Sequence, residues 1–145
     1  MLDIPFTALE AGVTAPIYAN PGDAGADLVA TRDVVLEPAG GRALVPTGLA
    51  IAIPEGHAGL VFPRSGLAVR HGVTCLNAPG LIDAGFRGEV QVALVNTDSH
   101  EPYTVRRGDR IAQLVIIPVE VACFVAVDAL PNSARGPGGF GHSGR

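Results

Sequence analysis

The chain has 145 residues and a mass of 14.8 kDa, the common size of one domain and enough to bury a hydrophobic core. Hydrophobic residues make up 48% of the sequence and charged residues 17%, which excludes a disordered chain because the apolar surface can offset the entropy of ordering. The net charge is −4, and basic residues cluster only at Arg106, Arg107 and Arg110, which argues against nucleic acid as a partner. All ten basic residues are arginine, so a Walker lysine and Schiff-base catalysis are excluded.

The N-terminal sequence lacks the basic and apolar regions of a signal peptide, and no apolar run approaches the roughly 20 residues that span a bilayer. We therefore expect a cytoplasmic protein with no membrane partner. The two cysteines, Cys75 and Cys123, are 123 − 75 = 48 positions apart in apolar stretches, without the close spacing of a zinc site. We expect both to be buried thiols.

Glycine and proline, 19 and 12 residues respectively, interrupt the sequence too often for long helices, so the fold class is predicted to be all-β. Short runs rich in valine, isoleucine and leucine fit a sandwich, jelly roll or barrel. The eight predicted strands are Val34–Glu37, Ala43–Ile53, Ala58–Phe62, Val73–Leu76, Glu89–Thr97, Tyr103–Arg106, Arg110–Ile117 and Glu120–Asp128. One short helix is predicted over Ser65–His71, with Ser65 as its cap and Gly72 as its end.

Two predicted strands contain continuous apolar runs, Val92–Val95 and Leu114–Ile117, which indicates that both of their faces are covered. In a domain this small, a second copy of the chain could supply the second cover, as in a closed symmetric homo-oligomer. The alternative is that a single sandwich buries both runs.

The sequence divides into a β-domain over residues 1–130 and a C-terminal arm over residues 131–145. Glycine is frequent in this arm, which we expect to be mobile when no ligand is bound. Arg135 and Phe140 are side chains that suit a nucleotide, because arginine pairs with phosphate and an aromatic ring stacks on a base.

The segment PRSGLA at residues 63–68 combines an arginine, a hydroxyl and a glycine at the start of the predicted helix. Unpaired N–H groups at a helix start suit phosphate oxygens, and Gly66 would let a ligand approach the backbone closely. A capped turn with a surface arginine is the alternative.

The segment NAPGLIDAGFRGE at residues 77–89 is predicted to be a hairpin with an elaborated loop. Asp83 follows the apolar residues Leu81 and Ile82, and a poorly solvated carboxylate suits a general base. An ordinary turn aspartate is the alternative.

Two other segments carry polar groups that need a partner. Asp23 and Asp27, in GDAGADL at residues 22–28, could hold Mg²⁺ directly or through water, or could be turn residues. Gln113 is an amide inside an apolar strand and requires either an internal partner or a ligand.

Five segments, taken in order, resemble the five motifs of the trimeric deoxyuridine triphosphatase (dUTPase) family. The resemblance covers nearly the whole chain and implies a jelly-roll-like distorted barrel of short strands, a homotrimer, and hydrolysis of dUTP to dUMP and pyrophosphate with Mg²⁺. The five segments are GDAGADL at 22–28, PRSGLA at 63–68, NAPGLIDAGFRGE at 77–89, GDRIAQLVI at 108–116 and RGPGGFGHSG at 135–144.

The resemblance implies that Asp83 is the general base and that Asp27 contacts Mg²⁺ through water. It also implies three groups of substrate-binding residues: Arg64, Ser65, Gly66 and Gln113 for phosphates, Asn77, Leu81, Ile82 and Phe86 for the nucleoside, and Arg135, Phe140 and Gly141 in an arm that closes over sites shared between subunits.

The chain departs from the family pattern at two positions. Phe86 stands where the family usually has tyrosine, so the ring that lies against deoxyribose is kept and its hydroxyl is lost. His142 replaces a small serine in the arm.

Two other functions are compatible with the sequence. One is a dCTP deaminase-like enzyme on the same fold, for which Glu89 is the only nearby candidate glutamate. The other is a non-catalytic trimeric nucleotide-binding or regulatory protein.

Overall fold

The chain forms two four-stranded antiparallel sheets, a two-stranded ribbon and one short helix. The computed structural model describes residues 2–139. The strands are β1 (Phe6–Ala8), β2 (Ala26–Val29), β3 (Val34–Leu36), β4 (Arg42–Ile51), β5 (His57–Pro63), β6 (Val73–Cys75), β7 (Gly80–Ile82), β8 (Glu89–Asn96), β9 (Tyr103–Val105) and β10 (Arg110–Pro118). The helix α1 is Ser65–His71.

The first sheet has the strand order β1-β4-β8-β6, the second has the order β2-β10-β5-β7, and β3 pairs with β9. Every one of these pairs is antiparallel. Both four-stranded sheets contribute to one hydrophobic core, so the predicted all-β, jelly-roll type of fold is confirmed. The described strands do not close into a barrel.

Strand β8 shows how the sequence produces this core. Its side chains alternate between the interior and the outer face, so Val90, Val92 and Leu94 are buried while Gln91 is exposed. Side chains with a period of two occupy opposite faces of a strand. Asn96 is also fully buried, and it is tolerated because its amide donates to the carbonyl oxygens of residues 36 and 101.

The helix prediction is confirmed, and its C-terminus ends as expected. Gly72 adopts φ 64°, a left-handed conformation that glycine takes without a Cβ clash, and its N–H donates to the carbonyl of Ala68. The predicted N-terminal cap is wrong: Arg64 is the N-cap residue, Ser65 is already helical, and no side chain caps the helix.

Two predictions for the C-terminal half are wrong. The segment Glu120–Asp128 forms no strand, pairs with none of the described strands and is exposed throughout. Cys123 lies in this segment and is exposed, so only Cys75 is a buried thiol. The apolar side chains of the segment are left outside, with Val121 and Phe124 more than nine-tenths exposed.

The segment predicted to be an elaborated hairpin crosses between the two sheets. Strands β6 and β8 pair in the first sheet, with Cys75 opposite Leu94, as expected for a hairpin. Within the connection, β7 leaves this sheet and pairs with β5 in the second one, where Leu81 lies opposite Leu60. Residues 76–88 therefore join both sheets.

The apolar runs predicted to be covered on both faces are not fully covered by the chain itself. Along β10, Leu114 is buried, whereas Val115, Ile116 and Ile117 are half-buried. The single chain thus leaves the second face partly open, as the prediction of a further covering copy requires. None of the helices in residues 2–139 is both long and apolar enough to cross a membrane.

Candidate active site

A cavity of about 290 Å³ opens between the loop of residues 76–88 and strand β8. Five of the residues predicted for catalysis and nucleoside binding line it: Asn77, Leu81, Ile82, Asp83 and Phe86. Gly80 forms part of the wall, and a Cβ at this position would stand 3.3 Å from Asn77 Nδ2 and from Val61 Cβ. The cavity is therefore shaped by close backbone approach as well as by side chains.

Asp83 stands in a tight turn directly after β7. The Phe86 N–H donates to the Asp83 carbonyl at 3.1 Å, which closes the turn. The guanidinium of Arg87 donates to the carbonyls of Ala84 and Phe86 at 2.6 and 2.7 Å. These bonds fix the loop backbone and leave the Asp83 carboxylate exposed. Low solvation of Asp83, expected from its apolar neighbours, is not found within one chain.

Phe86 forms part of the cavity wall and is 41% exposed. Its ring lies against the α-carbon of Gly88, where a Cβ would meet the ring carbon Cζ at 2.9 Å. The ring therefore has its observed position only because residue 88 has no side chain.

A second group of predicted site residues surrounds Asp27 in β2. Arg110 Nη1 donates to Asp27 Oδ2 at 3.1 Å, and Arg64 Nε lies 3.9 Å from Oδ1. Arg64 also donates to the carbonyl of Arg110 at 2.8 Å. Asp27 is 7% exposed, and burial of an unpaired carboxylate is unfavourable. Two guanidinium groups therefore offset its charge, and Asp27 in turn orients them.

Gln113 belongs to the same group. It lies opposite Asp27 in the β2–β10 pair and opposite Phe62 in the β5–β10 pair. Gly25 makes room for it, since a Cβ at this position would stand 2.9 Å from Gln113 Cβ. Gln113 is half-buried on a strand that is paired on both sides, and no side-chain hydrogen bond of its amide is seen among the described residues.

Ser65 and Gly66 form the first turn of α1 and are exposed. The N–H groups of a first helical turn have no acceptor inside the helix. A Cβ at Gly66 would meet nothing within 4 Å, so the space above this turn is open. The three residues of the predicted phosphate segment, Arg64 to Gly66, are thus accessible at the C-terminal end of β5 in the second sheet.

The described part of the arm is exposed, and Arg135 bonds within it. Arg135 Nε donates to the Gly138 carbonyl at 2.8 Å, and Nη2 donates to the Gly139 carbonyl at 3.2 Å. Phe140 and Gly141, the other two arm residues predicted to bind substrate, lie outside the described residues.

The structure thus gathers the predicted residues into two separate groups. The cavity beside β8 is lined by Asp83 but not by Arg64, Ser65, Gly66 or Gln113. Asp27 and Arg110 instead border another cavity, of about 330 Å³, beside residues 12–19.

The bond from Arg110 to Asp27 was not predicted from the sequence, which placed Arg110 in a basic cluster and at the start of a predicted strand. Its place as the first residue of β10, the strand that carries Gln113, was a usable signal. Glu89, the candidate glutamate of a deaminase, has other partners in the structure. Its Oε1 accepts the Gly48 N–H at 2.8 Å, and its Oε2 accepts from Gln91 Nε2 at 3.1 Å.

The chain is similar to known proteins over nearly its whole length. A family model described as dUTPase matches residues 11–144. A deoxyuridine 5'-triphosphate nucleotidohydrolase of Leifsonia xyli is 57% identical over 143 residues, which are 99% of this chain and 91% of the relative. The enzyme of the same name from Thermobifida fusca is 61% identical over 136 residues, 94% of this chain and 75% of the relative.

Solved structures of phage dUTPases share the fold. The Staphylococcus bacteriophage 80alpha dUTPase with dUPNHPP superposes with a TM-score of 0.90, at 29% identity, over 100% of both chains. A mutant dUTPase from phage phi11 of S. aureus, described with a structural Mg(II) ion, superposes with a TM-score of 0.82, at 26% identity, over 90% of this chain and 100% of that chain. The chain therefore belongs to the dUTPase family, the enzymes that hydrolyse deoxyuridine 5'-triphosphate.

Proposed function

We propose that Asp83 is the general base of dUTP hydrolysis in this chain. Its carboxylate stands at a cavity of nucleoside size, and this juxtaposition is the observation that carries the proposal. The carboxylate accepts a proton from a water molecule, whose oxygen forms a new bond to the α-phosphorus. The bond from that phosphorus to the oxygen bridging the α- and β-phosphates breaks in line, so that dUMP and pyrophosphate are released.

The cavity holds the nucleoside half of the substrate. Asn77 and the backbone of Leu81 and Ile82 contact the polar edge of uracil, and the close backbone approach at Gly80 leaves no space for the methyl group of thymine. The ring of Phe86 lies against the deoxyribose. Selectivity for uracil would then come from the shape of the backbone.

The second group of residues holds the triphosphate. Arg64 is a forked donor for phosphate oxygens, and Ser65 and Gly66 add a hydroxyl and exposed N–H groups. Gln113 contributes its amide from β10. Asp27 acts on this group by holding the guanidinium groups of Arg64 and Arg110 in place.

The residues around Asp27 fit Mg²⁺ held through water. Asp27 Oδ1 is buried and accepts no hydrogen bond, so it could accept one from a metal-bound water. Residues 2–139 contain no group of three or more His, Cys, Asp or Glu side chains that could hold a metal ion. Substrate oxygens and water would therefore be the direct ligands, and bound Mg²⁺ would neutralise charge on the pyrophosphate leaving group.

The two groups of residues would form one site in a homotrimer. They do not share a cavity within one chain, so the phosphate-binding residues of one subunit would face the nucleoside cavity of another subunit. The exposed apolar segment Glu120–Asp128 and the half-buried face of β10 supply surface for such an assembly. The arm, residues 131–145, would close over the shared site with Arg135, Phe140 and Gly141. A cytoplasmic location stays a prediction from the sequence.

The two alternatives identified from the sequence find less support. A deaminase needs a free glutamate near the base, and both carboxylate oxygens of Glu89 are occupied. A non-catalytic nucleotide-binding protein has no need for an exposed carboxylate at the cavity, where Asp83 stands.

The direct test measures pyrophosphate release from dUTP, UTP, dTTP and dCTP, with Mg²⁺ and with a chelator. Release from dUTP alone, lost with the chelator, is the expected result. Release of ammonia from dCTP would identify a deaminase, which leaves the triphosphate intact unless it is also a diphosphatase. Binding of dUTP without any release would identify the non-catalytic alternative and remove Asp83 from its role.

A further inference from the structure

Gly88 lies outside the set of residues assigned above, yet it contacts one of them closely. A Cβ at position 88 would stand 2.9 Å from Cζ and 3.1 Å from Cε2 of Phe86, which is closer than side-chain carbons approach each other. Only Phe86 comes this close: the next contact of that Cβ, at 3.8 Å, is again with its ring. The absence of a side chain at position 88 therefore leaves room for the Phe86 ring, to which the three atoms nearest to that Cβ all belong.

The ring of Phe86 depends on this contact more than a tyrosine ring would. Its loop backbone is fixed by the turn from Asp83 and by the two bonds from Arg87, so the side-chain torsions are what remains variable. The ring is 41% exposed and has no hydroxyl to anchor its edge. The position of the ring at the cavity wall is consequently set by the residue that it packs on, Gly88.

We propose that Gly88 is a positioning residue for the nucleoside half of the substrate, acting through Phe86. The proposal rests on the assignment of the cavity to the nucleoside. Any side chain at position 88 displaces the ring from its place on the glycine, and the displaced ring then weakens nucleoside binding while the phosphate-binding residues stay intact.

The test compares Gly88→Ala with Gly85→Ala. Gly85 is in the same loop, and a Cβ there meets nothing within 4 Å, so its variant is the matched control. For Gly88→Ala we expect the KM for dUTP and the Kd for dUMP to rise by about tenfold, with kcat changed by less than about twofold. Inhibition by pyrophosphate and the Tm should match the wild type in both variants.

A second comparison places Gly88→Ala in a Phe86→Ala background. Without the ring, the added methyl group should change the Kd for dUMP no further, because neighbours that act through one contact are not additive. An unchanged dUMP affinity in the single variant overturns the proposal, and so does a full additional loss in the double variant. If the wild type binds dUMP but hydrolyses no dUTP, the proposed function fails, while a loss of dUMP affinity in Gly88→Ala still supports the role of Gly88.

Discussion

Asp27 in β2 lies directly opposite Gln113 in β10. Directly opposed residues of an antiparallel pair direct their side chains to the same face of the sheet. The same strand β10 pairs Ala112 with Pro63, the residue before Arg64, on its other side. One strand thus brings together residues from three distant parts of the sequence, the ones that we propose to bind the phosphates.

Replacement of Asp83 by asparagine should reduce kcat for dUTP hydrolysis by about 10² to 10⁴-fold, the usual contribution of a general base. The amide can still orient water but cannot take its proton. Affinity for a non-hydrolysable dUTP analogue should stay within a few fold of wild type, measured by titration calorimetry. Turnover close to wild type would contradict the assignment.

The Asp27→Asn variant removes the charge that offsets two guanidinium groups. We expect the free energy of unfolding to fall by about 1–3 kcal/mol, because a buried charge-assisted hydrogen bond is weakened, and the KM for dUTP to rise because Arg64 loses its anchor. Asp33→Asn is the matched control: it also weakens an arginine pair, Arg106 Nη1 to Asp33 Oδ2 at 3.0 Å, but an exposed one. In this control, the free energy of unfolding measured with denaturant and the KM for dUTP should stay near the wild-type values. Equal effects in the two variants would show that burial of Asp27 is irrelevant.

Deletion of residues 136–145 should lower kcat/KM for dUTP strongly and leave the Tm nearly unchanged. The side-chain hydrogen bonds of Arg135 and the bond of the Gly136 N–H to Ser133 stay within the arm, so among residues 2–139 these bonds give the core no partner to lose. A thermal scan beside the pyrophosphate assay measures both quantities. A large drop in Tm would assign the arm a structural role instead.

Cys75 should be unreactive in the native protein. Burial raises the pKa of its thiol to about 11, so almost no thiolate exists at pH 8. In a Cys123→Ser variant, where Cys75 is the only thiol, a disulfide reagent at pH 8 should label nothing before denaturation and one thiol per chain after it. Fast native labelling would mean that the core opens around β6.

The pH dependence of stability should include a contribution from Asp98. Its Oδ1 accepts the N–H groups of Glu101 and His100, and these hydrogen bonds hold the pKa of the carboxyl below its usual value of 3.8. A lowered folded-state pKa gives stability that is present above the unfolded value and is lost as pH falls through the folded one. The Tm advantage of wild type over Asp98→Asn should be constant from about pH 5 to 7 and shrink below about pH 4. If the Tm advantage persisted at low pH, it would come from the geometry of the Asp98 side chain and not from its charge.

The sequence predicted the parts of the fold that local pattern determines. Strands β4, β8 and β10 are long apolar runs and lie within a few residues of their predicted ranges. Strands β1, β2 and β7, of three or four residues each, were missed, whereas β3, β6 and β9, of three residues each, were predicted. Segments this short carry too little periodicity to decide between a strand and a loop. The segment Glu120–Asp128 has the composition of a strand, but a strand also needs an edge to pair with, and composition does not reveal whether the chain supplies one.

The same distinction applies to the site. Residue types within short motifs were enough to propose Asp83 and Arg64 as site residues, and their roles stay predictions. The pairing of Arg110 with Asp27 and the contact of Gly88 with Phe86 depend on how the backbone is arranged in space. Neither contact could be predicted from residue identity alone.

The loop of residues 76–88 leaves the first sheet at β6, joins the second at β7 and returns to the first at β8. Asp83 is therefore held by both sheets at once. Close-packed interiors transmit displacement, and a shift of about 1 Å at reacting groups can cost on the order of a hundredfold in rate. Substitutions in the shared core that shift one sheet relative to the other should therefore lower kcat even when the chain is still folded. The value of kcat then depends on how well the two sheets are aligned.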